Sequence, residues 1–412
     1  MRAFGVPQRT RALSARGVRP GAGLILLLGL LEAFGPLSMD LYMPALPALA
    51  ESLHTSDTLA QVTMSVCMLG LALGQLVAGP MSDRFGRRVP LLVGVLVFTV
   101  FSAACAFAPS VAWLIAFRFV QGLGGAAGMV VTLAIARDLF SGRELAKMLS
   151  WLALVGATAP IIAPVLGGQL VRIMEWRGIF GVLTGIGALL FLAALLWLPE
   201  SHPRAKRSEG GARTLRDDAA ALLRPGAYRV ILAIASVTGI AFFSYLSMSS
   251  FALQGSYGVS PQAFGLLFAL GSVCNVIGSQ TNRVLVARFS TEQLYGAGLV
   301  IGWCGGVLAS ASALAGWGLA PFCAGLGLYL LSTGFTLPNA NAIALTEHGE
   351  RAGSAAALLG MSALVVGPIV SPLVSTLGMT PQVLGLTMVT ASTVVLVIAS
   401  LALWPRRSAP GA

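Results

Sequence analysis

Residues Gly21 to Ala50 read GAGLILLLGLLEAFGPLSMDLYMPALPALA, an apolar run long enough to cross a membrane that nevertheless holds two carboxylates, Glu32 and Asp40. An ionised acid in the hydrocarbon core costs ~2.5 to 3.5 kcal/mol even on a lenient insertion scale, so both must face protein or water. Acids so placed are suited to gaining and losing protons. The remaining apolar segments are expected to form a two-lobed enclosure around them, and the chemistry this implies is proton-driven movement of a small molecule across a membrane.

Composition supports a polytopic helical membrane protein. Of 412 residues, 56% are hydrophobic and 10% charged, the mean hydropathy is +0.85, and 49 are glycine. The cysteines (Cys67, Cys105, Cys274, Cys304, Cys323) fall inside apolar segments without pairing or metal-ligand spacing and read as small packing residues. No metal or cofactor is expected. The formal charge of +11 raises nucleic acid as a partner, but its distribution argues otherwise. Arg118 is intramembrane and Arg172 and Arg177 share one short loop, leaving 23 of the 26 Lys and Arg on the opposite side or at the termini. That is the positive-inside bias, and it places both termini in the cytoplasm.

Residues 1–21 carry Arg2, Arg9, Arg11, Arg16 and Arg19 without an acid, as in a basic tail resting on anionic headgroups. Signal-peptidase cleavage after Ala50 is rejected, because the preceding run is too long for a signal peptide and contains two acids. Apolar segments of spanning length recur about twelve times, near 22–46, 59–81, 89–108, 111–136, 145–171, 178–198, 228–254, 262–287, 293–315, 317–343, 352–376 and 382–404. The longest polar interval, 199–227, divides a first bundle of six spans (22–198) from a second (228–404), with a short tail at 405–412. An internal repeat supports this division: APIIAPVL at 159–166 matches GPIVSPLV at 367–374, with Pro160 and Pro368, and Pro164 and Pro372, each 208 positions apart. LSMD at 37–40 likewise meets LSMS at 246–249. Parallel halves of this kind place a binding site between the repeats near the membrane midplane. The halves differ in one respect, since Asp40 corresponds to Ser249 and Glu32 to Ala241, and no acid or base lies deep in the last six spans. Proton chemistry therefore belongs to the first half.

Residues 74–88 read GQLVAGPMSDRFGRR, with glycines for close helix approach and then a tight charged turn. This resembles the loop signature of the major facilitator superfamily in Gly79, Asp83, Arg84, Gly86, Arg87 and Arg88, and the Pro80 and Ser82 variant is similar to drug/proton antiporters. The resemblance implies that Asp83 latches onto neighbouring helix ends in the outward-facing state and that the arginines bind lipid phosphate or carbonyls. The run RFVQGLGGAA at 118–127 resembles the superfamily's fourth helix; its G-x-G is helix packing, because no strand and turn flank it as in a dinucleotide site. GATAPIIAPVLGGQL at 156–170, with Pro160 and Pro164, resembles the fifth-helix signature of exporters, and prolines with small neighbours expose backbone where the halves rock. Segments 28–50, 73–92, 158–168 and 349–360 are similar to the Bcr/CflA branch of drug-resistance transporters. Glu32, eight residues before Asp40, departs from that branch and resembles the first helix of MdfA-type multidrug/proton antiporters, where both acids serve proton exchange and cation recognition. The fold implied is all-α, twelve transmembrane helices in two pseudo-symmetric bundles.

Arg118, a guanidinium deep in lipid, requires a partner. Asp40 lies ~9 Å from the outer end of its span and Arg118 at similar depth in span four, so the two are candidates for one ion pair, either a coupling element or a static link between helices. Glu32 sits ~12 Å deeper and is turned by roughly 80°. Aromatics of spans one, seven and ten, namely Phe34, Tyr42, Phe242, Phe243, Tyr245 and Phe335, are read either as pocket lining for amphipathic cations or as plain helix packing, with Asn339 and Asn341 as added donors.

The reading drawn from these features is a proton-coupled antiporter that exports drug-like or amphipathic molecules, acting as a monomer in the bacterial inner membrane. A proton-coupled importer and a ligand sensor that does not translocate are the alternatives. An ATP-driven pump is disfavoured because no G-x-x-x-x-G-K-[ST] loop occurs. Enzymatic activity is not expected, since His54, His202 and His348 fall in loops without a nucleophile beside them.

Overall fold

The computed structural model describes residues 22–203, 226–346 and 352–402. Twelve of its helices are long and apolar enough to cross a membrane. We number them α1 (Ala22–Asp40), α2 (Asp57–Phe85), α3 (Arg88–Ala106), α4 (Val111–Leu139), α5 (Gly142–Leu170), α6 (Trp176–Trp197), α7 (Gly226–Phe251), α8 (Pro261–Leu285), α9 (Thr291–Leu314), α10 (Leu319–Thr346), α11 (Ala352–Ser375) and α12 (Pro381–Ala402). A short helix at Leu46–Ser52 prolongs α1, and a π-helical turn at Ala252–Ser256 prolongs α7. The all-helical fold expected from hydropathy is thus present, because in lipid only a helix satisfies its backbone within one segment. The basic tail, the centre of the 199–227 interval and the C-terminal tail lie outside the described residues.

Local chemistry sets several boundaries. Ser56 caps α2 by accepting from the Leu59 amide at 3.3 Å, with Asp57 in the first turn. Ser260 caps α8 in the same way ahead of Pro261, and Ser290 with Gln293 forms a capping box at α9. Between α2 and α3 the chain turns at Gly86, whose φ of 94° and ψ of 167° belong to a region that only glycine occupies at ease. We expect Gly86→Ala to cost about 1 to 3 kcal/mol, measured as a lower thermal unfolding midpoint in detergent.

Helix α1 is held by close backbone approach on two sides. A Cβ added at Gly128 of α4 would sit 2.7 Å from the Leu31 carbonyl, and one at Gly167 of α5 would collide with the carbonyl of Leu41. These contacts fix the register of Glu32 and Asp40 against the first half.

The two halves meet where α2 faces α11 and α5 faces α8. Their polar contacts gather at the end remote from Ala22, here called the distal end. Gln61 Nε2 donates to Ser247 Oγ at 2.5 Å and to Ser371 Oγ at 2.7 Å, and those hydroxyls lie 2.9 Å apart. Ser250 and Gln254 donate to the carbonyls of Met43 and Pro44, Gln262 to that of Gly168, and Thr58 to that of Ser375. The proline pair of α5 contributes directly: Pro164 has no N–H to offer the Pro160 carbonyl four residues earlier, and Ser272 Oγ of α8 donates to it at 3.2 Å. The named hydrogen bonds between the halves all fall from the Ser272–Pro160 contact to the distal end.

Candidate functional site

Asp40 terminates α1 and is buried, yet among the described residues its side chain has no hydrogen-bond or ion-pair partner. It lies within the electrostatic reach of Tyr245 in the second half. Glu32 is half-buried eight residues earlier, about two helical turns, and its Oε2 is enclosed without a partner among the described residues. Pro36, lacking an N–H, also frees the Glu32 carbonyl. The structure therefore places two carboxylates on the first half's leading helix with no described residue paired to either, a costly arrangement for an ionised acid.

The expected Asp40–Arg118 ion pair is not formed. Arg118 is fully buried and turned into the first half, where Nη1 donates to Gln121 Oε1 at 2.7 Å and reaches the Ser38 carbonyl at 3.4 Å. Its Nε reaches the Thr63 carbonyl, and its guanidinium lies 4.8 Å from the Tyr42 ring centroid and 5.5 Å from that of Phe180. Gln121 is held in turn by Ser102 Oγ, and Tyr42 by Thr63 Oγ1. The physical reason is azimuth: Arg118 lies against the Tyr42 ring and the Ser38 main-chain oxygen on the first-half side of the chain, whereas Asp40, between them in sequence, stands within electrostatic reach of Tyr245 in the second half.

The other sequence-derived candidates separate into those near the interface and those closed in packing. Phe34 packs against Phe98 with centroids 3.8 Å apart and the rings tilted by 42°, and Phe335 lies against Gly298 of α9. Tyr42 belongs to the Arg118 cluster. Asn339 donates to Asn282 Oδ1 at 2.7 Å and so ties α10 to α8. Phe242 is half-buried and packs edge-on against Phe243, whereas Tyr245 stacks on Phe268 of α8.

At the end of the bundle where Ala22 and Ala402 lie, the charged turn forms a cluster within the first half. Arg87 bonds Asp83 at 2.5 Å, Asp138 at 2.9 Å and Ser82 at 2.8 Å, while its amide donates to Glu200. Burial works against the Arg87 charge, but the bonds and charges of Asp138 and Asp83 more than offset it and hold the guanidinium above its ordinary value. Arg88 donates to the Leu195 carbonyl, one of the two kinds of acceptor the resemblance implied. Arg84 lies over Phe85. Asp83 rests on Arg87 of its own turn in this conformation, and Gly79 has room for a Cβ, at 3.7 Å from Val130.

Sequence reading missed the hub of Gln61, Ser247 and Ser371. The available signal was a glutamine in an apolar span, where an amide must find a partner. Because Gln61 supplies both donors, Gln61→Leu is expected to loosen the distal seal. In a background without native cysteines, Met64→Cys should then react with a water-soluble maleimide about tenfold faster, the equivalent of one or two lost hydrogen bonds. An unchanged rate would assign the seal to apolar packing.

Comparison with known proteins agrees with this architecture. A model described as Major Facilitator Superfamily matches residues 28–372. The MFS-type transporter YdgK of Bacillus subtilis is 37% identical over 85% of this chain and 88% of its own. A bicyclomycin resistance protein homolog of Haemophilus influenzae is 31% identical, covering 86% and 89%. A bacterial homolog of the human lysosomal transporter Spinster, solved in an inward-facing and occupied conformation, shares the fold with a TM-score of 0.74 at 14% identity, covering 94% of this chain and 97% of that one. The paired bundles, the DRFGRR turn and these likenesses lead to one conclusion: this is a multi-pass membrane transporter belonging to the Major Facilitator Superfamily.

Proposed function

We propose that the chain is a proton-coupled antiporter that exports amphipathic, drug-like small molecules across the bacterial inner membrane. The observation that carries this reading is that Asp40 and Glu32 on α1 are without a partner among the described residues, with Arg118 engaged elsewhere. The bicyclomycin resistance homolog supports a drug substrate and outward direction. Arg84, Arg87, Arg88, Arg137, Arg143, Lys147, Arg229, Arg283 and Arg288 lie toward the end of Ala22 and Ala402, against Arg172 and Arg177 at the distal end, which supports a cytoplasmic location for the Ala22 end. With that topology, a seam of hydrogen bonds confined to the distal side supports an inward-facing state.

In the cycle we infer, a cytoplasmic substrate binds near Glu32, Phe242 and Tyr245 while the acids are ionised. The halves then rock about α2–α11 and α5–α8, with Pro160 and Pro164 supplying exposed backbone, and the Asp83 turn engages the second half once the distal end opens. Proton uptake from outside neutralises the acids, favours release and resets the molecule. Coupling needs only that the proton and the substrate favour different states.

The test is transport in proteoliposomes. A pH gradient, acidic on the side from which protons enter, should drive a bicyclomycin-like or amphipathic cation against its gradient, and collapse of the gradient should stop it. Accumulation in the same direction as the protons would identify an importer, and binding without accumulation a sensor. Across a set of cationic and neutral compounds, Glu32→Gln should impair export of the cations selectively; equal export of both kinds would remove Glu32 from recognition.

A further inference from the structure

Between α8 and α10 in the second half lies a cleft of about 600 Å³, within the size range of ligand sites. Its walls are almost wholly apolar, from Leu253, Leu267 and Ala320 near the distal end to Leu330 and Leu331 deeper in, with Tyr245 at its inner wall. It opens on the flank of the bundle, where Leu270 is 60% and Leu266 58% exposed on helices that span the membrane.

The repeat explains why the cleft exists on one side of the molecule. In the first half, Gly122 lets α4 press against α2, and an added Cβ there would collide with the Cys67 carbonyl. The same crossing recurs in the second half, Gly278 against Leu331 and Gly334 against Asn275 standing where Gly70 meets Phe119 and Gly122 meets Cys67, but it lies about one helical turn further from the distal ends: Cys67 and Phe119 are 10 and 8 residues into α2 and α4, Asn275 and Leu331 14 and 12 residues into α8 and α10. The two helices close only further from the distal end, where a Cβ at Gly278 would strike the Leu331 carbonyl and one at Gly334 would lie 2.5 Å from the Asn275 carbonyl. Above that crossing Gly327 meets only Cys274 Sγ, at 3.5 Å.

We propose that this cleft seats one acyl chain of a zwitterionic phospholipid from the distal leaflet. Its extent along α10, from Ala320 to Leu331, is about 16 Å by helical rise, which matches half of the ~30 Å hydrocarbon thickness. A void of this size in contact with lipid fills with what adjoins it, since unfilled walls forfeit van der Waals contact and chains gain nothing by remaining outside. The distal loops of the second half, SYGVS at 256–260, AGWG at 315–318 and TLGMT at 376–380, carry no charge, so nothing there selects an anionic headgroup.

The experiment is photolabelling of wild-type protein in nanodiscs by phosphatidylethanolamine carrying a diazirine within its acyl chain, followed by peptide mapping. Peptides covering 267–274 and 320–331 should be labelled about tenfold more than the outward face of α6 at Leu189, Leu192 and Leu196, the contrast expected for a preference of one decade. Ala324→Trp, which fills the cleft, should remove that excess while the protein remains monodisperse. Even labelling of all outward faces, or an excess that survives in Ala324→Trp, overturns the proposal. Labelling of the cleft by a diazirine-bearing amphipathic cation with none from the phospholipid also overturns it, and would make the cleft a substrate route.

Discussion

Asp40→Asn is expected to lower pH-driven export on the order of 100-fold, the upper range of coupling between two ligands on one protein, while leaving the fold and drug binding in place. The asparagine has the same shape but cannot ionise. Because the Asp40 side chain has no hydrogen-bond or ion-pair partner among the described residues, the substitution breaks no described contact and removes a buried charge that costs energy to hold. Two assays separate coupling from integrity. Export driven by a pH gradient should be lost, whereas exchange of labelled for unlabelled drug without a gradient should persist, since exchange requires substrate but no net proton movement. Wild-type export by the variant would eliminate Asp40 as the proton site and leave Glu32 to carry the assignment.

Arg118→Ala is expected to behave differently, as a loss of stability rather than of coupling alone. Its side chain is fully enclosed between Tyr42 and Phe180 and serves the Gln121 amide and two carbonyls. Truncation relieves the desolvation of a buried charge, but it strands those acceptors and leaves a cavity, for a net loss of about 3 kcal/mol. Arg118→Met, which refills the volume, should recover part of the loss, and Arg118→Lys should not restore the whole, because an ammonium can neither fork nor stack as a guanidinium does. Thermal unfolding in detergent measures all three. If Arg118→Ala melts with the wild type and only proton coupling fails, the residue pairs with Asp40 in another state of the cycle.

The contrast between these residues shows what sequence could and could not give. Hydropathy located the spanning helices because length and apolarity are one-dimensional properties, and Gly86 was legible because the turn's geometry demands a glycine. Depth along a helix was legible too, and it brought Asp40 and Arg118 to neighbouring levels. Azimuth was not: in a helix apolar on most sides, no periodic pattern marks the face that points inward, so a pairing argued from depth failed on direction around the helix. The same blindness affected the aromatics. Phe34 and Phe335 sit in apolar spans as Phe242 does, yet they are closed in packing against Phe98 and Gly298, which residue type alone does not reveal. The Gln61 hub joins positions separated by 186 and 310 residues, and only tertiary structure brings such partners together.

The seam across the distal end has a further consequence. Its named stitches are amides, hydroxyls and main-chain oxygens, none of which changes ionisation state across the physiological range or is screened by salt. Opening on that side should therefore respond little to ionic strength, and whatever acidity does to the transport cycle must act through titratable neighbours of the seam such as Asp40, three residues before Met43, rather than through the stitches themselves.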